Sequence, residues 1–463
     1  MQLRFLGGAG TVTGAKVMVE HEGRRLLLDC GLFDGLKQLR LHNRSALAVP
    51  SRSIDAVVLT QADLAHSGFL PRLVELGFEG VVHATPATVE LCHVLLPEAG
   101  RQQEEEARQA NQLGYGKHAP ARPLFTEDIA RRALRQLRPR SFDESFEPVP
   151  GIGARLRPCG QQVGGASVHL RCGTAHSLLY ASALGRTDDP LLPAPAPPEP
   201  ADQLLVPATY GNRQHRQADA VQRLSRLIAR TAARGGTLLL PVPAAGPMVV
   251  LLHALRALRA GARIPELPVR IDGALAAQVL QVYQRHAGEL RSDAGDALAL
   301  LEGLQILPAD DTDFGPGSGP GILIAVDGVA SGQVVAQHLK RLAPDARNAI
   351  AYISYQPAGT RGAALLAGKP QIKVQGDWIA ARAEVLALDG LSGHADRQGL
   401  LDWILSVPQA PKHVFLMHGE PEAADSLRQA IAERRSWPCS VPEYLELANI
   451  REDEVLEHQG MPG

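Results

Sequence analysis

Short loops that follow strand-like apolar runs carry most of the residues able to do chemistry. The stretch "VVLTQADLAHSGFLPRL" places Asp63 and His66 between an apolar run and a helical pattern, and other polar loops read "GTAHS", "GLSGHADR" and "MHGE". Loops held by a rigid scaffold are where binding and catalytic residues usually lie. Such groups are typical of a metal-binding site, yet the first loop contains only one histidine. The sequence therefore raises the question of whether it encodes an active site or the remains of one.

These loops require a scaffold of strands and helices. Apolar runs of strand length recur along the chain, among them "RLLLDCG", "IDAVVLT", "GTLLLPV" and "HVFLMHG", and most are bounded by glycine, aspartate or proline. Between such runs, Val221, Leu224 and Ile228 share one face of a predicted helix. Strands that alternate with amphipathic helices predict the α/β class.

Length and charge limit the organisation and the classes of function. A chain of 463 residues is too long for one ordinary core, so we expect two domains. The formal net charge of -2 gives no overall attraction to polyanions, so an RNA contact would have to come from a local groove. The proline-rich stretch "DDPLLPAPAPPEPAD" predicts an extended connection at a domain junction.

Cysteine usage and hydropathy predict a cytoplasmic protein. The five cysteines are widely spaced and never form a CxxC pair, which argues against a disulfide framework or a thiolate zinc site. No window approaches ~18 uninterrupted apolar residues, and the N-terminal segment lacks the basic and apolar regions of a signal peptide. We therefore expect no membrane association.

Five longer segments carry a family resemblance, and they occur in the family's order. They are "GTVTGAKVMVEHEGRRLLLDCGLFDG", "YGNRQHR", "SYQPAGTRG", "LSGHADRQGLLDWI" and "VFLMHGEPEAA". Together they resemble the metallo-β-lactamase fold, and specifically its β-CASP branch of RNA-processing nucleases. The resemblance implies an αββα sandwich built from residues 1–206 and 376–463. It also implies an α/β β-CASP domain inserted at residues 207–375, with substrate bound in the cleft between the two domains.

The resemblance further implies two zinc ions, held in active members by an HxHxDH loop, a later histidine, an aspartate and a final histidine. Here the loop reads "TQADLAH", so Gln61, Asp63 and Ala65 stand for two histidines and the aspartate, and only His66 is retained. Two neighbouring dications repel each other unless anionic ligands neutralise them. This loop supplies too few such ligands.

Other family positions are degenerate in the N-terminal part and intact in the C-terminal part. His176 matches the next family histidine, but Ala183 stands for the aspartate that bridges the metals, and Pro207 for an acidic residue that supports the histidine network. His418 matches the final ligand, and His394 matches the general-acid histidine.

Positions that would hold substrate have changed as well. Pro247 and Val334 stand where the family carries arginines, whose guanidinium forks would bind phosphate.

His394 is interpreted as a vestigial general acid, because without an activated nucleophile there is no cleavage step for it to complete. It would pack at the start of a helix capped by Asp396. Asp29 is expected to shape the floor of the loop.

The favoured interpretation is a catalytically impaired β-CASP protein, a pseudoenzyme. It predicts no required cofactor and a function in association, either as a homo-oligomer, with an active homologue, or as a scaffold in RNA processing. A module that binds RNA without cutting it is a weaker alternative, because the charge is near neutral and the two arginines are replaced.

The rival interpretation is a working hydrolase with a reduced metal site. Asp63, His66, His176 and His418 would hold one zinc ion, because three imidazoles and a carboxylate form a chemically sufficient mononuclear set. Such an enzyme would act on RNA or on a smaller phosphoester or thioester.

Overall fold

Two β-sheets packed face to face form the scaffold of the N-terminal part of the chain, and the C-terminal segment completes both. The computed structural model describes residues 1–463 except 117, 215–216, 273–274, 293–297, 308–318, 328–331, 452–456 and 460–463. The strands before the insert are β1 (Gln2–Gly7), β2 (Lys16–His21), β3 (Arg24–Leu28), β4 (Ala56–Val58), β5 (Val81–Ala84), β6 (Leu137–Pro139), β7 (Ser145–Val149), β8 (Ile152–Pro158), β9 (Ala166–Cys172), β10 (His176–Tyr180) and β11 (Gln203–Pro207). The helices are α1 (Lys37–His42), α2 (Leu64–Ser67), α3 (Leu70–Glu75), α4 (Pro86–Leu113) and α5 (Glu127–Leu134).

An α/β insert follows β11, and the chain then returns to the first two sheets. The strands of the insert are β12 (Thr237–Pro243), β13 (Val269–Asp272), β14 (Gln305–Leu307), β15 (Gly321–Asp327), β16 (Ala349–Tyr352), β17 (Gln371–Val374), β18 (Asp377–Ala380) and β19 (Glu384–Ala387). Its helices are α6 (Gln217–Ala233), α7 (Pro247–Ala260), α8 (Leu275–Arg285), α9 (Gln333–Leu342) and α10 (Arg361–Leu366). The C-terminal elements are α11 (Arg397–Leu405), β20 (His413–Met417), α12 (Pro421–Arg434), β21 (Cys439–Ser440), β22 (Leu447–Asn449) and β23 (Glu457–Gln459).

The two sheets of the sandwich enclose one apolar layer. One sheet has the order β23-β22-β1-β2-β3-β4-β5-β6, and the other has the order β21-β20-β11-β10-β9-β8-β7. Phe5 and Leu28 of the first sheet pack with Leu170 and Phe415 of the second, and all four are fully buried. Burying each such side chain stabilises the fold by roughly 1.5–3 kcal/mol.

Helices cover the outer faces of both sheets, so the predicted αββα sandwich is confirmed. On the first sheet, α4 lays Leu91 and Leu95 against the same apolar cluster as Val57 of β4. Thr85 caps the start of this helix by accepting a hydrogen bond from the Thr88 backbone N–H at 3.3 Å. On the second sheet, α11 and α12 bury their apolar sides in a separate cluster.

The insert is a parallel sheet with helices on both faces, as the α/β prediction requires. Its strand order is β14-β13-β15-β12-β16-β19, and every neighbouring pair is parallel. The strand β12 reads "TLLLPVP" and is buried almost throughout, as expected for a strand covered on both faces.

Two predicted boundaries differ from the structure. The sheet of the insert continues past residue 375, because Glu384–Ala387 pairs with β16. The proline-rich stretch is a connection inside the sandwich and not a domain junction, because it joins β10 to β11 and these two strands pair directly in the same sheet. Proline prevents regular pairing within the loop but does not show whether its two ends return to one sheet.

The structure also bears on membrane association. Within the described ranges, no helix is both long and apolar enough to cross a bilayer.

Candidate active site

The loop after β4 is shaped by its own aspartate. Asp63 has an extended backbone, and its carboxylate accepts a hydrogen bond from the Ala65 backbone N–H at 3.0 Å. This is the geometry of a helix N-cap, and it starts the short helix α2 that carries His66. The carboxylate of Asp63 therefore has a structural role in the loop.

Asp29 binds the ends of several strands together. It follows β3, is fully buried, and accepts hydrogen bonds from the Thr60 backbone N–H at 2.7 Å and from the Tyr180 hydroxyl at 2.9 Å. The Nδ1 atom of His66 lies 3.0 Å from its Oδ2 atom. Asp29 thus joins β3, the loop after β4 and the end of β10, in agreement with its predicted role in shaping the loop floor.

His66 and His418 come together at this carboxylate. Their ring centroids are 5.4 Å apart, although β4 and β20 belong to different sheets. The Nε2 atom of His418 lies 3.1 Å from the Tyr180 hydroxyl oxygen. Because this hydroxyl donates its one proton to Asp29, the bond requires His418 to donate from Nε2.

The two imidazoles have opposite electrostatic environments. Burial alone would lower the pKa of His66, but the charges of Asp63 and Asp29 and the hydrogen bond to Asp29 raise it to about 9. Burial, together with the charges of His66 and His394, lowers the pKa of His418 well below its ordinary value. The pair is therefore one imidazolium held between carboxylates and one neutral imidazole.

His418 is locked in place by its backbone. It has a positive φ of 51°, and its N–H donates to the Gly8 carbonyl at 2.7 Å. A Cβ at Gly8 would lie 2.6 Å from the His418 Nδ1 atom, so only glycine fits beneath this ring. The Nδ1 atom has no hydrogen-bond partner among the described residues and faces this backbone.

The structure separates His176 from the other predicted ligands. His176 begins β10, whereas Tyr180, which contacts Asp29 and His418, ends it. Four residues of extended strand span roughly 13 Å. His176 lies instead near His21, at 6.4 Å between ring centroids. The expectation that Asp63, His66, His176 and His418 share one metal ion is corrected by this geometry.

His394 lies in the cleft, and the helix behind it begins where predicted. Its backbone pairs with Gly185, and its N–H donates to the Ser392 hydroxyl at 3.3 Å. Asp396 caps α11 by accepting from the Gly399 N–H at 3.0 Å, which confirms the predicted cap.

Comparisons with known proteins agree with this architecture. The Beta-Casp domain model matches residues 248–365, and the model of the Zn-dependent metallo-hydrolase RNA specificity domain matches residues 378–442. The chain is 31% identical over 445 residues to "Ribonuclease TTHA0252" of Thermus thermophilus, covering 94% of this chain and 96% of the relative. It belongs to the β-CASP metallo-β-lactamase family of RNA-processing nucleases.

More distant relatives of this β-CASP protein carry a different description. "Transcription termination factor FttA" of Methanocaldococcus jannaschii is 26% identical, over 95% of this chain and 71% of that protein. A crystal structure of a protein of unknown function from Enterococcus faecalis covers 96% of this chain and 99% of its own, with 14% identity and a TM-score of 0.50. That likeness is one of fold.

The β-CASP family positions that depart from the metal-binding pattern are occupied by groups with other contacts. Gln61 is buried, and its Oε1 atom accepts a hydrogen bond from Gln162 Nε2 at 3.0 Å. The Ala65 carbonyl accepts a hydrogen bond at 2.9 Å from the backbone N–H of Ala15, the residue before β2. Ala183 is fully buried and apolar, and Pro207 ends β11 in register with Met417.

These donors do not fit the zinc pair that the β-CASP family implies. Two imidazoles face each other, but Asp63 caps a helix and the Nε2 atom of His418 bonds to Tyr180. In the described part of the chain, no group of three or more His, Cys, Asp or Glu side chains is arranged to hold a metal ion. The methyl groups of Ala65 and Ala183 offer no ligand atom.

Two glutamines in the cleft were missed by the sequence analysis. Gln161 and Gln162 lie in the loop between β8 and β9 and line a cavity of about 340 Å³ between the sandwich and the insert. The signal was present in "CGQQVGG", a polar pair enclosed by glycines between two strand-like runs. His394, Pro247 and residues of both domains line the same cavity.

Proposed function

We propose that this chain is a pseudoenzyme of the β-CASP family, which works by association and not by hydrolysis. The observation that carries the proposal is the hydrogen-bond network in which His66 and Tyr180 bond to Asp29 and the Nε2 atom of His418 bonds to Tyr180. One ring nitrogen of each histidine is engaged in this network, and the neighbouring family positions carry an amide and two methyl groups. A pair of dications would meet too few anionic oxygens in this pocket.

The work of the protein is proposed to lie in RNA processing. This rests on its relatives, one named a ribonuclease and others named transcription termination factors. The partner is either a second copy of the chain or an active homologue with an intact HxHxDH loop. The five free cysteines support a reducing, cytoplasmic setting.

An assay of RNA cleavage with metal analysis tests the loss of catalysis. Protein purified in the presence of zinc or manganese is expected to contain neither metal at stoichiometric level and to leave RNA uncut. Cleavage that requires metal, and that disappears in His66→Ala and His418→Ala, would overturn the proposal and establish the rival hydrolase. That hydrolase would then have to act without His176.

Restoring ligands provides a second test. The combined changes Gln61→His, Asp63→His, Ala65→Asp and Ala183→Asp are expected to raise the zinc content from background, because the backbone that carries these positions is in place. RNA cleavage should stay weak, since Pro247 and Val334 supply no phosphate contact. Elemental analysis measures the zinc, and an unchanged zinc content would show that lost ligands alone do not explain the loss.

Association is measured separately. Light scattering after gel filtration reports self-association, and co-purification with an intact homologue from the same cells reports the mixed complex. A strictly monomeric chain that captures no such homologue at native levels would contradict the proposed role.

A further inference from the structure

The cavity between the sandwich and the insert carries an unexpected charge. Carboxylates of Asp34, Asp63, Glu106 and Asp327 line it, and no described lining residue is a lysine or an arginine. A cleft that binds a phosphate backbone needs cations, from basic side chains or from bound metal ions, since like charges repel strongly in a partly enclosed site. Apart from its histidines, the charged side chains in the described lining of this cavity are carboxylates.

The carboxylates come from separate parts of the fold. Asp63 is engaged in capping α2 and lies close to the charge of His66. Asp34 follows β3 in the sandwich, and Glu106 lies on α4. Asp327 ends β15 of the insert, is fully buried and accepts a hydrogen bond from the Val334 N–H at 3.1 Å. Both domains therefore contribute carboxylates to the cleft.

A buried amide provides an independent indication of a ligand. Gln161 is 5% exposed and lines the cavity, and its Oε1 atom has no hydrogen-bond partner among the described residues. A buried polar atom without a partner is costly, so such atoms usually mark a missing water or ligand. An acceptor oxygen calls for a ligand that donates N–H or O–H groups.

Aromatic rings at the cavity already hold a cation of this chain. Tyr210 and Tyr355 line the cavity with their rings at 87° to each other. The Arg213 guanidinium lies 5.9 Å from the centroid of Tyr210 and 5.7 Å from that of Tyr355. Cation–π contacts of this kind favour alkylammonium and guanidinium groups. Apolar side chains such as Leu64 and Leu95 also line the cavity and suit an alkyl chain.

We propose that this cavity binds an organic cation on an alkyl chain, an alkylammonium or alkylguanidinium group. Its N–H groups would meet the carboxylates and the Gln161 oxygen, and its carbon chain would lie along the apolar wall. The inference rests on the proposed function, because in a working member of the family bound metal ions would neutralise carboxylates of this cleft and RNA would occupy it. The same chemistry is supplied by a free polyamine or by a basic side chain of a partner protein.

Calorimetry on the full chain tests this inference. The probes are spermidine, the blocked peptide acetyl-Gly-Arg-Gly-amide, and inorganic phosphate as the anion control. Saturable binding that weakens with salt is expected for at least one cationic probe. Binding of spermidine alone would assign the cavity to polyamines, and tighter binding of the peptide would assign it to a partner's side chain.

Three variants locate the binding. Glu106→Gln is expected to weaken it roughly threefold, as for one exposed carboxylate, and Gln161→Leu about tenfold, as for a buried hydrogen bond to a charged group. Glu105→Gln is the matched control, because Glu105 directly precedes Glu106 in α4 and pairs with Arg108 outside the cavity. Thermal melting verifies that each variant folds.

The outcomes separate this inference from the proposed function. No binding of either cation, preferential binding of phosphate, or binding unaffected by both cavity variants would overturn it. If one of these results is found and RNA stays uncut, only the cation-site inference is contradicted and the pseudoenzyme proposal stands. Metal-dependent cleavage would overturn the proposed function whatever the cation probes show.

Discussion

At the scale of single residues, Asp29 and Lys16 show how the first loops are held. Asp29 accepts from Thr60, His66 and Tyr180, so one carboxylate satisfies donors from three segments. Lys16 begins β2 and is buried, and its ammonium donates to the carbonyls of Gly14, at 3.2 Å, and Gly31. A buried lysine is costly while it is charged.

The cost of burying the charged Lys16 ammonium predicts how folding stability depends on pH. Burial lowers its pKa from 10.5 to about 8, while the nearby Cys30 thiol opposes the shift. Below pH 8 both folded and unfolded chains carry the proton, so the cost is fully present. Between pH 8 and 10.5 the unfolded chain binds more protons, so folding stability should rise with pH by roughly 3 kcal/mol from this group.

Urea unfolding across this pH range measures the effect. The rise should be absent in Lys16→Met and retained in Lys37→Met, since Lys37 is exposed on α1. Because other titrating groups are common to all three proteins, the difference between the curves isolates Lys16. Parallel curves for all three would contradict the prediction.

At the scale of elements, short capping contacts decide where the helices of the site begin. Asp63 starts α2 and thereby orients His66, and Asp396 starts α11 immediately after His394. Both caps occur where a loop leaves the scaffold and enters the cleft. A side chain that caps a helix satisfies backbone N–H groups which no turn of the helix can reach.

Removing the Asp396 cap should destabilise the protein by about 1 kcal/mol, because the Gly399 N–H loses its acceptor. Urea unfolding of Asp396→Ala measures this loss. Asp402→Ala is the control on the same helix, where the exposed carboxylate accepts a hydrogen bond from the Gln398 side-chain amide at 2.6 Å. An equal loss in the two variants would argue that the cap contributes nothing specific.

At the scale of the whole molecule, polar contacts between α4 and α8 join the sandwich to the insert. Glu90 lies 2.7 Å from Arg285 and 3.0 Å from His286. Glu289, just after α8, accepts from the Gly164 N–H at 2.7 Å, and burial raises its pKa although this bond and the charge of His286 oppose the shift. These contacts hold the loop of Gln161 and Gln162 against the insert.

Loss of the Glu289 contact should loosen the interface. Glu289→Ala leaves the Gly164 N–H without its acceptor, which costs about 1–3 kcal/mol for a buried group. Hydrogen exchange should therefore accelerate in α8 and in the loop before β9. Glu302→Ala, an exposed carboxylate elsewhere on the insert, is the control. Exchange that stays the same in both variants would show that the two domains are held by apolar packing alone.

The sequence by itself determined the local structure and the family. Strand-like runs, glycine and proline boundaries and the Asp396 cap depend on neighbours a few residues apart, so pattern and chemistry predict them. The order of five segments was sufficient to predict the sandwich and its insert, which the structure and the relatives confirm.

Only the tertiary structure decided which side chains meet. His66 and His418 converge because the loops after β4 and β20, which belong to the two facing sheets, meet in space, whereas the extended β10 carries His176 away from them. The same convergence brings Gln161, Glu106 and Asp327 around one cavity, and no local pattern records their combined charge. Contacts between distant segments depend on how sheets and domains pack, and that information is absent from the spacing of residues along the chain.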